Sequence, residues 1–409
     1  MLTINRRQFA GTVLALSTQS GRLFAASGVD ETLRTGLQKH KIPTAVAMAA
    51  TADKIIYTGA FGKRDSASGI DAKPDTIFAI ASMTKAITSA AALQLVERGK
   101  LTLEEPVSKH LPELAKLDVL EGFDSAGKPI LRPAKKAVTL RNLLTHTSGF
   151  AYDTWDANML KYETATGAGP SGAGVAPVTP LIFEPGTRWQ YGTSLDWTGR
   201  LVEAVSGQTL EQYFQQNILE PLGMNDTKFS VPAEKFDRLV SSYRRQSDGV
   251  LKEDPRTLPP VPKAFNGGGG LYSTAPDYVR FMQMILHKGK GNGKEILKAK
   301  TVEMMSSNQI GDLGAGKLKT VRPTISADVD VHPGFVDKWG YGFLINTTAY
   351  QGGRSAGSLA WAGVENTFYW IDPKRQICAV IMMQFFPFVD PEAVALLGEF
   401  ERAVYANLS

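Results

Sequence analysis

The residues whose types and spacing best suit catalysis lie in the stretch Ser82-Met83-Thr84-Lys85. A serine hydroxyl is a weak nucleophile until a neighbouring group removes its proton. Residues three apart on a helix lie on the same face, so the amine of Lys85 can reach the hydroxyl of Ser82 if this stretch is helical. Lysine is ordinarily protonated at neutral pH, and burial together with any neighbouring cation would favour the neutral amine that acts as a base. The spacing therefore predicts a serine nucleophile with a lysine partner.

The segment around this pair has the pattern of a buried helix. Neither glycine nor proline occurs from Ala81 to Arg98, and Gly99 stands where a helix C-terminus favours glycine. Residues 86–96 are nearly all apolar or small, which indicates a helix buried on most sides. The same pattern also fits a serine that only caps the helix and a lysine that extends to solvent, because Ser-x-x-Lys is common by chance.

A second serine competes for the role of nucleophile. Ser355 is the centre of a Gly-x-Ser-x-Gly pattern from Gly353 to Gly357. A nucleophile elbow needs a buried strand before the serine and a helix after it, whereas here polar glycine-rich residues precede and a strand-like sequence follows. In α/β-hydrolases the histidine follows the serine, but the last histidine of this chain is His332. We therefore interpret this pattern as a glycine-rich turn.

Strand-like sequences lie near both ends of the chain and must position the pair. A hairpin is predicted where Thr51-Ala52-Asp53 separates "TAVAMAA" from "KIIYTGAFG". Four more strand-like stretches lie between Tyr341 and Gln384, and the short gaps between them favour antiparallel pairing. Helical patterns precede the first strand and close the chain. We predict an α+β fold, an antiparallel sheet flanked by N- and C-terminal helices, with an inserted helix-rich domain.

The predicted organisation has three parts. Residues 27–86 and 335–409 form the sheet domain, and residues 87–334 form the helix-rich domain. Residues 1–26 contain paired arginines, a short apolar stretch and small residues at the end, which is typical of a twin-arginine export signal. We expect a periplasmic or secreted protein; the alternative is a cytoplasmic protein with an amphipathic N-terminal arm. The apolar stretch is too short for a membrane span.

The composition argues against several other classes of protein. The net charge is +5, but three of the positive charges lie in residues 1–26, and no basic stripe is present, so we expect no nucleic-acid partner. The single cysteine, Cys378, excludes a disulfide framework and a thiolate metal cluster. None of the five histidines lies two or four residues from another, so a local zinc motif is absent. We expect neither a metal nor an organic cofactor.

Several longer stretches closely resemble the serine beta-lactamase-like superfamily. They are "FAIASMTKAITSAAALQLVERGKLTLEEPVSKHLPEL", "LRNLLTHTSGF", "WQYGTSLDWTGRLVEAVSG", "NGGGGLYSTAPDYVRFMQMIL" and "WAGVENTFYWIDP". Together they extend over roughly residues 30 to 405. Within the superfamily, the chain is most similar to the family VIII carboxylesterases, which are relatives of class C beta-lactamases and of D-alanyl-D-alanine carboxypeptidases.

The resemblance implies a role for each matching residue. Ser82 would be the acylated nucleophile, Lys85 its partner, and Tyr191 the phenol that relays protons. The segment Trp361-Ala362-Gly363 would lie on the strand that flanks the site. The backbone N–H groups of Ser82 and Val364 would form the oxyanion hole, which holds the negative charge of the transition state.

Three further residues have side chains that could contribute to the predicted site. Tyr152 and Trp155 are candidates for the wall of the acyl pocket, and core packing is an equally good explanation of their aromatic character. His146 could act as a base, but we interpret it as structural because Lys85 and Tyr191 already supply that chemistry.

Two departures from the beta-lactamase pattern bear on the substrate. The chain has Thr193 where beta-lactamases carry an asparagine, and Trp361 where they carry a lysine that helps to receive a carboxylate. An indole offers contact area and one N–H donor but no charge. Neutral acyl esters should therefore suit the site better than anionic antibiotics. The family VIII esterases share this Trp-x-Gly replacement, which here comprises Trp361 and Gly363.

The expected function is that of a serine carboxylesterase acting on a small-molecule ester. It would hydrolyse short-chain acyl esters through an acyl-enzyme on Ser82, with weak beta-lactam hydrolysis or acyl transfer to an alcohol left open. One alternative is a class C-like beta-lactamase or a D-alanyl-D-alanine carboxypeptidase. Another is a penicillin-recognising sensor module that becomes acylated and does not turn over.

Overall fold

The computed structural model describes residues 26–168, 177–330 and 332–408. The predicted export signal lies outside the described residues, apart from Ala26. Among the helices of the described ranges, none is both long enough and apolar enough to cross a membrane.

The strands vary widely in length. In chain order they are β1 (Thr44–Thr51), β2 (Ile55–Asp65), β3 (Ile70–Asp71), β4 (Phe78–Ala79), β5 (Asp118–Phe123), β6 (Pro129–Pro133), β7 (Tyr243–Arg245), β8 (Leu251–Glu253), β9 (Tyr272–Ser273), β10 (Lys290–Gly291), β11 (Lys294–Glu295), β12 (Lys317–Leu318), β13 (Val329–Asp330), β14 (Lys338–Trp339), β15 (Leu344–Ile345), β16 (Leu359–Gly363), β17 (Thr367–Asp372), β18 (Ile377–Met382) and β19 (Phe385–Phe386).

Most of the helices lie between β4 and β14. In chain order they are α1 (Ala26–His40), α2 (Thr84–Glu97), α3 (Leu140–Leu144), α4 (Ala157–Thr166), α5 (Ser194–Ser206), α6 (Leu210–Phe214), α7 (Glu220–Leu222), α8 (Ala275–Leu286), α9 (Ala299–Met305) and α10 (Pro391–Ala406). A 3₁₀ turn, Ala81–Met83, leads directly into α2.

Eight strands form one sheet in the order β14-β15-β16-β17-β18-β1-β2-β3. Every neighbouring pair is antiparallel. The pairing of β18 with β1, from Val46 opposite Met382 to Thr51 opposite Ile377, joins the two ends of the chain. The predicted antiparallel sheet with terminal helices is therefore confirmed, while the division into domains at residues 86 and 335 stays a prediction.

The two faces of the sheet have different partners. Because side chains alternate along a strand, neighbouring residues of β17 point in opposite directions. Trp370 packs on Phe400 of α10, with ring centres 5.6 Å apart, whereas Tyr369 packs on Tyr278 of α8 at 4.9 Å. Helices α1 and α10 therefore cover one face, and α8 lies on the face that also supports the catalytic candidates.

Helix α2 is buried along most of its length, as its apolar sequence predicted. The residues from Thr84 to Leu95 are all buried, and α5 is among the helices that pack on them. Gly99 follows with φ of +67°, a conformation that glycine adopts without steric cost. A helix without a polar face forces its one lysine, Lys85, into the interior.

Among the two-residue strands, β4 and β15 lie in stretches whose sequence predicts extended structure, whereas β9 and the edge strand β14 were not predicted. Strands β9 and β14 contain too few residues for an alternating pattern to be detected. The ribbon formed by β4 and β9 nevertheless matters for the site, because it pairs Phe78 with Ser273 and Ala79 with Tyr272 just before the turn that carries Ser82.

Candidate active site

Ser82 lies in the 3₁₀ turn that precedes α2, with Ala81 directly before it. Ala81 has φ of +42°, a left-handed conformation that is uncommon for any residue except glycine and often marks a functional turn. The hydroxyl of Tyr278 donates a hydrogen bond of 2.9 Å to the carbonyl of Met83. The sheet and α8 thus hold the turn in place, and the nucleophile does not depend on a flexible loop.

Lys85 is fully buried one turn below Ser82. Its Nζ lies 3.0 Å from Ser82 Oγ, 3.2 Å from the hydroxyl oxygen of Tyr152, and in contact with the carbonyl oxygen of Gly268. As a neutral amine, Lys85 can donate hydrogen bonds to the Tyr152 hydroxyl oxygen and to the Gly268 carbonyl oxygen, and it can direct its lone pair at the Ser82 hydroxyl. Geometry therefore permits Lys85 to take the proton of Ser82.

The glycine-rich stretch from Asn266 to Gly270 supplies the carbonyl that contacts Lys85. Its turn is closed by a 2.7 Å hydrogen bond from the Gly268 N–H to Asn266 Oδ1. A Cβ atom on Gly268 would overlap the carboxylate of Asp196. Glycine at this position therefore lets Asp196 lie directly against the backbone that contacts Lys85.

Tyr152 connects Lys85 to this carboxylate. Its hydroxyl donates a 3.0 Å hydrogen bond to Asp196 Oδ2. Burial raises the pKa of Tyr152 well above its usual value, and the neighbouring Asp196 carboxylate raises it further, so the phenol keeps its proton. Burial also raises the pKa of Asp196, while the charge of Lys85 opposes that effect. Tyr152 was predicted as a wall of the acyl pocket; it lines the cavity and also contacts Lys85.

Tyr191 lies beside Lys85 but presents its ring. Lys85 Nζ is 4.8 Å from the centre of the Tyr191 ring, within the range of a cation–π contact. The Tyr191 hydroxyl accepts a 3.0 Å hydrogen bond from the indole N–H of Trp361. The phenol that hydrogen-bonds to Lys85 is that of Tyr152, and the proton relay that the resemblance implies for Tyr191 stays a prediction.

Trp361 is buried in an aromatic cluster and does not stand on the wall of the cavity above Ser82. Its ring packs on Tyr191 and Trp339, with ring centres 4.9 Å and 4.7 Å apart. Its single N–H is already donated to Tyr191. The indole was expected to offer area and a donor to the substrate; the structure places it one layer behind, where it acts on Tyr191.

His146 belongs to the same cluster and is completely buried. Its Nδ1 accepts a 3.4 Å hydrogen bond from the Gly192 N–H, and its ring lies 4.7 Å from that of Tyr191. Burial lowers the pKa of His146 well below its usual value, and the charge of Lys85 lowers it further. A neutral imidazole packed against aromatic rings agrees with the structural interpretation.

A cavity of about 340 Å³ opens above Ser82. Its walls combine aromatic and aliphatic side chains with a few polar groups: Ala81, Ser82, Tyr152, Asp153, Thr154, Trp155, Asn266, Gly268, Gly269, Arg322, Ile325, Val364 and Phe386. Four predicted site residues, Ser82, Tyr152, Trp155 and Val364, are thus brought together. Trp155 is held by a 3.1 Å hydrogen bond from its indole N–H to Ser326 Oγ.

Strand β16 brings Val364 to this cavity. Gly363 ends the strand against the turn of the nucleophile, and a Cβ atom there would lie 2.5 Å from the Ile80 carbonyl oxygen. Such an approach excludes any side chain, because real Cβ atoms do not come so close to backbone oxygen. Gly363 therefore lets Val364 and Ser82 share one wall, as an oxyanion hole built from their N–H groups requires.

One cation, Arg322, lines the part of the cavity that the structure describes. Its guanidinium pairs with the buried carboxylate of Asp153. The charge that an anionic substrate would need is therefore largely neutralised. Among the described residues, no group of three histidine, cysteine or acidic side chains is arranged to hold a metal ion.

The competing serine lies elsewhere. Ser355 is in a loop that leads through a turn into β16, and its N–H donates a 2.9 Å hydrogen bond to Asp372 Oδ2. A strand, not a helix, follows it, so the local structure is not that of a nucleophile elbow.

Sequence reasoning did not find Asp196 or the contact of Tyr152 with Lys85. Asp196 is an acid within the apolar pattern of α5, which was a usable indication. It also lies in the first turn of the helix, where acids are common because they interact favourably with the helix dipole. Its position alone therefore does not indicate a contact near Lys85.

Comparisons with known proteins find relatives of this chain over most of its length. The sequence profile of the family described as Beta-lactamase matches residues 29–401. The monacolin J acid methylbutanoyltransferase of Aspergillus terreus is 33% identical over 399 residues, covering 93% of this chain and 95% of the relative. The lovastatin esterase of Penicillium rubens is 31% identical over 409 residues, covering 93% and 98%.

A solved structure shows the same architecture. A variant of simvastatin synthase from Aspergillus terreus superposes with a TM-score of 0.79 at 31% sequence identity, covering 93% of this chain and 96% of the other. The antiparallel sheet with its terminal helices and the helical region are therefore shared with this simvastatin synthase variant.

Proposed function

Because this chain belongs to the beta-lactamase family of serine hydrolases and acyltransferases, we propose that it is a carboxylesterase for short-chain acyl esters that forms an acyl-enzyme on Ser82. One observation carries the proposal. Lys85 Nζ lies 3.0 Å from Ser82 Oγ beneath a largely apolar cavity. A nucleophile and its base thus meet where an acyl group can be held.

The reaction begins with proton transfer from Ser82 to Lys85. Ser82 Oγ attacks the ester carbonyl, and the negative charge that develops on the carbonyl oxygen is held by the N–H groups of Ser82 and Val364. The proton then passes from the Lys85 ammonium, by way of Tyr191, to the leaving alcohol, and the acyl-enzyme remains. A water molecule or a second alcohol then gives a proton to Lys85 and attacks the acyl carbon. The bond from that carbon to Ser82 Oγ breaks, Ser82 Oγ takes the proton back from Lys85, and the acid or the new ester leaves.

Tyr191 keeps its proposed role as a relay in this scheme. The indole N–H of Trp361 points at its oxygen and would stabilise negative charge there when Tyr191 gives up its proton. The centre of the Tyr191 ring lies 4.8 Å from Lys85 Nζ. In this scheme a substrate oxygen or a water molecule carries the proton between the Tyr191 hydroxyl and Lys85.

The size and charge of the cavity support a small neutral acyl ester. About 340 Å³ is near the lower end of the range of small-molecule sites. The pairing of Arg322 with Asp153 leaves little positive charge for the carboxylate of a beta-lactam or of a peptide C-terminus. Acyl transfer to an alcohol is a second activity that we propose, because a methylbutanoyltransferase and an esterase are similar to this chain over most of their lengths.

The decisive test compares Ser82→Ala with Ser355→Ala on p-nitrophenyl butyrate. Loss of the nucleophile should lower kcat by about 10⁴-fold or more, whereas the second variant should keep its activity. Mass spectrometry of the wild-type protein during turnover should detect a butyryl adduct on Ser82. Equal activity of Ser82→Ala and wild type would refute the proposal.

Rival functions give different outcomes in the same assays. A beta-lactamase would hydrolyse nitrocefin much faster than the butyrate ester. A sensor module would show a stoichiometric burst and a persistent adduct on Ser82 with no turnover.

A further inference from the structure

Asp196, a buried acidic group near Lys85, has no part in the proposed reaction. Asp196 is 3% exposed, although it belongs to the first turn of α5. Its Oδ2 accepts the hydrogen bond of Tyr152, whose oxygen lies 3.2 Å from Lys85 Nζ. Carboxylate and amine are therefore linked by two consecutive hydrogen bonds through a single phenol.

We infer that Asp196 is a positioning residue that supplies the counter-charge of Lys85 through Tyr152 and thereby sets how strongly Lys85 binds the proton of Ser82. This inference rests on the proposed function, in which Lys85 is the base. It gives Tyr152 a second task besides lining the cavity.

The charge balance of the first step explains why a counter-charge is needed. The proton leaves Ser82 Oγ and bonds to Lys85 Nζ, so an ammonium forms where no solvent can reach it. An isolated buried ammonium is costly, and a carboxylate about two hydrogen bonds away stabilises it. No proton needs to leave the site, because Tyr152 keeps its own proton and remains the donor to Asp196.

The other groups around Lys85 do not provide this charge. His146 is neutral because burial and the charge of Lys85 lower its pKa, Tyr191 offers its ring face, and the Gly268 carbonyl is a dipole without net charge. Asp153 lies near Tyr152 but is paired with Arg322. The titratable and charged groups that face this region are thus Ser82, His146, Tyr152, Asp153, Tyr191, Asp196 and Arg322.

The local backbone is shaped to admit the carboxylate. A side chain on Gly268 would overlap Asp196 Oδ2, so the glycine makes room for it. An acid that only stabilised the N-terminus of α5 would not need this space or the contact with Tyr152. The space beside Gly268 and the contact with Tyr152 therefore both support a role of Asp196 that concerns Lys85.

The experiment measures the pH dependence of kcat/KM on p-nitrophenyl butyrate for wild type and Asp196→Asn. A carboxylate favours the ammonium form, so its removal lets the amine form appear at lower pH. The rising limb of the profile should therefore move to lower pH by about 1 to 3 units, the usual effect of an opposite charge at this distance. The weaker base should also lower the plateau about tenfold.

Asp277→Asn is the matched control. Asp277 is also 3% exposed, and its carboxylate is held by the N–H of Asp226 and the hydroxyl of Thr227, away from Lys85. Loss of this buried carboxylate should leave the limb where it is. An unchanged limb in folded Asp196→Asn would overturn the inference, even if the rate fell.

A second variant keeps the test decisive if Asp196→Asn does not fold. Tyr152→Phe removes the acceptor that favours the ammonium and should move the limb in the same direction by a smaller amount; an unmoved limb there would overturn the inference. The failure of the proposed function looks different, because wild-type protein would then form no adduct on Ser82.

Discussion

Burial gives Lys85, the proposed base, surroundings that an exposed lysine does not have. Its amine meets three polar partners, Ser82, Tyr152 and the Gly268 carbonyl, and no solvent. Two aromatic rings complete the surroundings, with the ring centres of Tyr152 and Tyr191 at 5.3 Å and 4.8 Å from Nζ. The proposed base is thus enclosed by hydrogen-bond partners and aromatic rings.

Tyr191→Phe and Trp361→Phe test the relay and its supporting donor. Removal of the Tyr191 hydroxyl should lower kcat on p-nitrophenyl butyrate about 100-fold, within the range of general acid–base catalysis. Removal of the Trp361 N–H alone should cost about tenfold, as expected for one hydrogen bond that strengthens with charge.

Trp370→Phe is the control for this pair. Trp370 also donates its indole N–H to a tyrosine hydroxyl, that of Tyr405 at 3.2 Å, but on the face of the sheet covered by α10. It should retain wild-type kcat. If Trp370→Phe and Trp361→Phe lost activity equally, the effect would be one of stability and not of the relay.

At the level of elements, the site depends on how closely β16 approaches the turn before α2. Gly363 is the contact point, and the Ile80 carbonyl leaves no space for a Cβ atom. The Tyr278 hydroxyl fixes the same turn from α8 through Met83. The nucleophile is thus held between a strand and two helices.

Gly363→Ala should displace β16 and with it Val364. A shift of about 1 Å near reacting groups can cost about 100-fold in rate, so kcat should fall by that order while the protein still folds. Gly28→Ala is the control, because a Cβ atom there meets only ordinary contacts at 3.6 Å. Wild-type kcat in folded Gly363→Ala would mean that the position of Val364 does not matter.

For the whole molecule, the sheet closes because the two ends of the chain pair within it. Helix α10 secures this closure through a buried ion pair. Arg354, in the loop before β16, donates hydrogen bonds of 2.9 Å and 2.5 Å to Glu401 of α10, and both side chains are nearly inaccessible. Burial alone would raise the pKa of Glu401, but the Arg354 guanidinium outweighs it and holds that pKa below its usual value.

Glu401→Gln should therefore destabilise the protein in a pH-dependent way. It leaves Arg354 buried without a counter-charge, which typically costs about 3–5 kcal/mol at neutral pH. A lowered carboxyl pKa stabilises the fold above its usual value of about 4.3, and this contribution is lost as the pH falls below it. Urea unfolding at pH 7 and pH 3.5 should show a smaller difference from wild type at the acidic pH.

Glu104→Gln provides the comparison on the surface. Glu104 pairs with Arg141, but its side chain is 66% exposed, and exposed pairs contribute about 0–1 kcal/mol. The two variants should differ clearly at pH 7. Equal stabilities would mean that the buried pair does not secure α10.

The sequence alone predicts several features of this arrangement. The apolar run from Ala86 to Val96 predicted the buried helix, and the spacing of Ser82 and Lys85 predicted their contact. Apolar strand-like stretches at both ends of the chain, with short gaps between neighbouring stretches, predicted the antiparallel sheet. These features succeed because they depend on neighbours within one helical turn or one strand, where sequence distance determines geometry.

The packing of the folded chain decided the rest. Lys85 meets Tyr152 across 67 residues and Gly268 across 183, and Trp361 meets Tyr191 across 170. These contacts depend on how distant segments fit together. They determine that Tyr152 contacts Lys85, that Asp196 accepts the hydrogen bond of Tyr152, and that the N–H of Trp361 is already donated to Tyr191. Local periodicity carries no record of such contacts, because they arise only when the whole core closes around them.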